Sequence, residues 1–117
     1  MWIAYAMNSH GTILVDGGAR KVLMEGGKSL LPAGVTGARG RFRPGDAVSI
    51  ADTRGRVFAR GIARWSSEQV DLGRGKRSAE VRALLGPETP AEIVHRDDLT
   101  ILPSSGASES NKGGASR

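Results

Sequence analysis

The chain has 117 residues, enough for one domain with a single modest core. Its 17 glycines, set against two Trp, one Tyr and two Phe, favour short strands and tight turns over a helix bundle, and the lack of Cys excludes disulfides, thiolate catalysis and Cys-based zinc sites while agreeing with a reducing cytoplasm. A formal charge of +5 and a pI of about 10.4 suit a polyanionic partner, and equally suit a solvated arginine-rich surface.

No apolar run approaches membrane-spanning length. The opening Met1-Trp2-Ile3-Ala4-Tyr5-Ala6-Met7 lacks a basic n-region and is too short for a signal peptide. Residues 12–16 are rich in β-branched side chains and read as a strand ending at Asp16, which is placed to cap a helix over 17–25. Ala19, Val22 and Leu23 would share one face of that helix, and Gly26-Gly27 would end it. Residues 30–42 read as extended. Pro44 and Gly45 occupy the positions a type II turn favours, so residues 43–46 should form a tight hairpin joining that strand to the next at 47–51. Residues 52–55 form a second hairpin turn into a strand over 56–65.

Ser66 and Gln69 make a capping-box pattern, and Ser78 is placed to cap a further helix whose face carries Val81, Leu84 and Leu85 until Gly86-Pro87 stops it. Residues 91–102 return as one or two strands broken at Asp97-Asp98. Phe42, Phe58 and Trp65 lie in strand contexts and read as core, while Trp2 and Tyr5 would pack an N-terminal arm over 1–10. Residues 103–117 carry no large apolar side chain beyond Pro103 and read as a disordered Gly/Ser-rich tail. The expected fold is mainly β with short helices, as a mixed β barrel whose closure removes exposed strand edges.

Several motifs bear on chemistry. Gly27-Lys28-Ser29 matches the second half of a phosphate-binding P-loop, but Val22 stands where the first glycine belongs, and Pro32 turns the chain away from the helix that such a loop must open. Residues 34–37 and 37–40 imitate the G-x-x-G of KH domains without its helical setting. With two histidines, His10 and His95, and no paired ligand spacing, no metal site is expected; His95 reads as a strand residue bonded to its neighbours. Asp97 and Asp98 would point to opposite faces of a strand, which fits a turn or cap better than a catalytic pair.

The strings Gly11-Thr12-Ile13-Leu14-Val15-Asp16-Gly17-Gly18-Ala19, Gly27 through Val35, Gly40 through Asp46, Ala59-Arg60-Gly61 and Val94 through Leu99 occur in one order. Together they resemble the PUA domain, and most closely the C-terminal PUA domain of bacterial glutamate 5-kinases. The resemblance implies a PUA pseudo-barrel over residues 11–102, preceded in such proteins by an amino-acid-kinase domain that this sequence lacks. Met1 would then stand just past the boundary between the two domains.

It further implies a cytoplasmic accessory or regulatory domain in proline biosynthesis, with the kinase domain as partner and with ATP and Mg belonging to that domain. No catalytic, metal or cofactor residue is expected in the segment itself. In RNA-bound relatives the loop after the first helix and the adjoining strand contact RNA, with help from the last strand. Carried over, this marks Gly26, Gly27, Lys28, Ser29 and Gly34, flanked by Arg41, Arg43, Arg60, Arg64 and Arg96, for weak contact with a structured, tRNA-like RNA. The scarcity of exposed aromatics argues against base-stacking readout.

Overall fold

In the computed structural model, residues 11–102 are described; the expectations for residues 1–10 and 103–117 lie outside them. The first strand, β1 (Gly11–Val15), buries Ile13 and Val15 completely, as its β-branched alternation requires. On one side it pairs antiparallel with β2 (Val35–Gly40) and on the other parallel with β3 (Ala47–Ala51). The sheet continues antiparallel through β4 (Val57–Ala63) and β5 (Val94–Ile101), giving the order β2-β1-β3-β4-β5. Three helices, α1 (Gly17–Met24), α2 (Ser67–Gly73) and α3 (Ser78–Leu85), accompany it. The fold is mainly β with short helices, as the sequence leads one to expect.

Local signals explain the helix ends. Asp16 Oδ1 accepts the Ala19 N–H at 2.7 Å, and α1 stops where Gly26 and Gly27 take φ of 85° and 73°. Ser66 and Gln69 complete their reciprocal box at the start of α2, with bonds of 3.1 and 2.9 Å. Arg77 rather than Ser78 precedes α3, and there Glu80 Oε1 accepts the Arg77 N–H. The core gathers Ile13, Leu23, Leu30, Val48, Ile50, Trp65, Val70, Val81, Ile93 and Val94. Phe42 and Phe58 join it, and the Trp65 indole N–H donates to Pro90 O at 2.8 Å.

Several expectations change. Val22 and Leu84 are 44% and 51% exposed, because each two-turn helix meets the rest of the core along a narrow line that only Leu23 and Val81 reach fully. Residues 30–42 are not extended throughout: Pro32 starts a 3₁₀ turn over Pro32–Gly34 before β2 begins. Residues 43–46 do form the tight turn, with Gly45 at φ 99°, but no hairpin, since β1 lies between β2 and β3. The turn at 52–55 is a true hairpin turn.

Asp97 and Asp98 sit inside a single strand, not at a break or cap. They lie where Gly61 faces Leu99 but Ala63 faces Val94, so β5 bulges there. Nor does strand pairing close the barrel among the described residues. Instead Leu30 bridges to Val94 across the free side of β5, while Arg74 and α2 cover part of the free side of β2.

Candidate functional site

Most of the residues singled out from the sequence fall into two separate places. In the first, the loop leaving α1 lies along β5. Gly26, Gly27 and Lys28 are exposed, and half-buried Ser29 accepts the Arg96 N–H on its Oγ at 2.9 Å. Leu30 N–H donates to Val94 O at 2.9 Å, Ile93 N–H returns to Leu30 O at 2.8 Å, and Arg64 N–H reaches Ile93 O at 2.7 Å. This ladder fixes Lys28, Ser29, Arg96 and Arg64 along one side of the molecule. Arg64 is not a free cation there: its guanidinium stands 3.8 Å from the Asp98 carboxylate, with both side chains partly exposed. His95 Nδ1 accepts the Asp97 N–H, which is the strand role its sequence context implies.

Arg41 and Arg43 are elsewhere. They line an open cleft of 640 Å³ together with Ala38, Gly40, Phe42 and Asp46 on one wall and Ser66, Ser67, Glu68 and Asp71 of the α2 region on the other. Asp46 Oδ2 accepts the Arg43 N–H at 2.9 Å, and Ser67 ties α2 to the backbone of Phe42. Two arginines here share the cleft lining with three carboxylates, so this place is of mixed charge, not a phosphate track. Arg60 is half-buried on β4, level with Ser49 and Thr100.

Gly34 serves packing. A Cβ on it would stand 2.5 Å from Ala19 Cβ, so the bare backbone is what lets the 3₁₀ turn lie against α1. Beside this contact, Ala19, Val22, Leu23, Leu31 and Ala33 line a second, largely apolar groove of 460 Å³, with Leu31 half exposed. Glu68 and Asp71 escaped sequence reasoning. Their i, i+3 spacing on a helix was visible, but nothing local placed that face opposite residues 41–43. Among the described residues no cluster of three or more His, Asp or Glu side chains could hold a metal ion, and no helix is long and apolar enough to cross a membrane.

The PUA domain family model matches residues 11–85. The glutamate 5-kinase of Gloeobacter violaceus is 48% identical over 102 residues, covering 86% of this chain and 28% of that protein. That of Microcystis aeruginosa is 43% identical over 112 residues, covering 96% and 30%, and that of Syntrophotalea carbinolica 46% over 100 residues, covering 86% and 27%. The chain thus spans under a third of the length of these relatives. Among solved structures, a PUA domain from Aeropyrum pernix K1 superposes with a TM-score of 0.51 at 26% identity, over 74% of this chain and 43% of that one. NSun6 from Pyrococcus horikoshii gives 0.51 at 19% identity, over 83% and 22%, a likeness of fold alone. With the family match running from β1 to the end of α3, and the mixed sheet laid out as described, the chain belongs to the PUA domain family.

Proposed function

We propose that the chain is the accessory PUA domain of a cytoplasmic glutamate 5-kinase of proline biosynthesis, acting on assembly or feedback control of a partner kinase domain that binds ATP and Mg. The observation that carries this reading is identity of 43–48% across nearly the whole described fold, confined to 27–30% of each relative. Unrelated hosts share the PUA fold, so identity at this level, and not fold, is what supports a particular host.

A chimera tests the reading. Residues 11–102 are grafted in place of the homologous portion of the Gloeobacter violaceus enzyme. The expected chimera is soluble and matches the parent enzyme in oligomeric state, activity and response to proline, while the isolated chain forms no acyl phosphate from ATP and glutamate. A chimera indistinguishable from a truncation lacking the domain refutes the reading, provided the truncation itself differs from the parent.

A second reading is weak, electrostatic contact with structured RNA along Gly26, Gly27, Lys28, Ser29, Arg64 and Arg96. The Ser29–Arg96 bond supports it, because it joins the loop to β5 and so keeps two exposed cations on one side. Mobility shift of a tRNA at two salt concentrations tests it.

A further inference from the structure

The outer edge of β2 ends in an unfilled cleft, and the sheet register fixes which backbone groups face into it. Asp16 N–H donates to Gly34 O at 3.0 Å, so at that point β1 turns its polar backbone groups toward β2. Backbone direction alternates along a strand, so Leu14 and Thr12 also point at β2. Their partners Gly37 and Arg39 therefore bond inward to β1. Ala38, between them, sends its N–H and C=O outward, and beyond Arg39 the Gly40 N–H also points outward, the strand ending there as Gly40 takes a φ of 77°. Thr36, the bulged residue, likewise turns its carbonyl out, and Arg74 Nη1 covers it at 2.9 Å. No hydrogen bond within the described residues covers the outward groups of Ala38 and Gly40, and both residues line the 640 Å³ cleft.

These outward groups repeat every second residue, about 7 Å apart, a spacing that another extended backbone matches. The walls add polarity. Arg41 and Arg43 stand at the end nearest Gly40, while Glu68 and Asp71 line the flank formed by α2, and buried Phe42 supplies an apolar floor. The carboxylates disfavour a phosphate backbone in the same place.

We propose that the β2 edge at Ala38 and Gly40 docks an extended peptide of a partner polypeptide. The peptide adds as a sixth strand, setting an acidic side chain against Arg41 and Arg43 and a basic one against Glu68 and Asp71. In the antiparallel sense, its N-terminal end lies by Arg41 and its C-terminal end is halted by the Arg74 guanidinium. The site is separate from the loop beside β5 and does not depend on which larger protein carries the domain.

The test is an NMR titration of the full chain, labelled with ¹⁵N, using acetyl-Glu-Thr-Val-Thr-Lys-amide at millimolar concentrations. Saturable shifts centred on the Ala38 and Gly40 amides are expected. The charge-reversed acetyl-Lys-Thr-Val-Thr-Glu-amide should bind about tenfold more weakly, since two exposed ion pairs turn repulsive. A peptide with proline at the central position should give no shifts, having lost a ladder donor. Ala38→Pro removes only an outward N–H, which an edge strand tolerates, and should abolish the shifts while the chain stays folded by circular dichroism.

Equal response to all three peptides, or none at Ala38 and Gly40, overturns the proposal. So do Ala38 and Gly40 amides already protected from exchange in the free chain, which would mean another part of the chain holds the edge. Shifts there with a single-stranded oligonucleotide, and not with peptide, would assign the cleft to nucleic acid instead. If Ala38→Pro does not fold, the comparison among peptides still decides.

Discussion

Replacing Gly34 by alanine should destabilise the domain through one identifiable collision. The added Cβ would stand 2.5 Å from Ala19 Cβ and 3.7 Å from Ala19 Cα. The neighbour is a methyl fixed to the first turn of α1, not the swinging end of a long side chain, so either the helix or the 3₁₀ turn has to move. Gly34 has no left-handed φ, so backbone strain adds nothing and the effect is steric. Overpacking of this kind costs about 1–3 kcal/mol, and in a domain of this size each kcal/mol lowers the melting temperature by about 4–8 °C.

The reasoning is sharpened by Ala19→Gly, which removes the opposing methyl. Alone it should cost up to about 1 kcal/mol in helix propensity. Combined with Gly34→Ala it should be far less harmful than the sum, because the collision is gone. Thermal melts of the four proteins close the cycle. A double variant whose loss equals the sum to within about 0.5 kcal/mol would refute a clash between these two atoms, as would a Gly34→Ala melt unchanged from the parent.

Asp16→Ala should cost about 1 kcal/mol by leaving the Ala19 N–H uncapped, readable by urea denaturation with an unchanged slope. Trp65→Ala should cost about 3–5 kcal/mol, since it empties a fully buried site packed against Gly73 and strands the Pro90 carbonyl; urea denaturation followed by far-ultraviolet dichroism checks it. If RNA binds, Lys28→Glu with Arg96→Glu should weaken tRNA binding strongly while Arg41→Glu with Arg43→Glu has little effect, because the two pairs lie in different places. With about four phosphates neutralised, affinity should fall about a hundredfold between about 50 and 200 mM salt, and salt-insensitive binding in the mobility shift would contradict this.

The features legible from sequence were those made by residues a few positions apart. Asp16, the Ser66–Gln69 box, the glycine stop after α1 and the 52–55 turn all satisfy backbone groups locally, so residue type and spacing suffice. What failed depended on distant partners. A Pro-Gly turn reports a change of direction and says nothing of whether its flanking strands pair, so the insertion of β1 between β2 and β3 was invisible. Apolar spacing marked Val22 and Leu84 for burial, yet helices of two turns offer a line of contact rather than a face. Gly34 looked like room for a ligand and is room for Ala19. Of the candidate cations, Lys28, Arg64 and Arg96 lie by the loop and the last strand, whereas Arg60 is half-buried on β4 and Arg41 and Arg43 line the cleft beside α2, a separation that only the tertiary fold supplies.

The parallel pairing of β1 with β3 has a consequence for the order of folding. Gly11 meets Val48 only after α1, the 3₁₀ turn, β2 and the 43–46 turn have been laid out between them, so this contact closes a long loop at an entropic cost. The β3–β4 hairpin, by contrast, is closed by Asp52 alone, whose carboxylate takes the N–H groups of Arg54 and Arg56 while its backbone bonds to Gly55 and Arg56. That hairpin is the natural first structure, with β1, and the β2 strand that pairs with it alone, docking later along β3. Mutations at Ile50 and Ala59 should therefore slow refolding, whereas those at Ile13 and Val15 should mainly hasten unfolding.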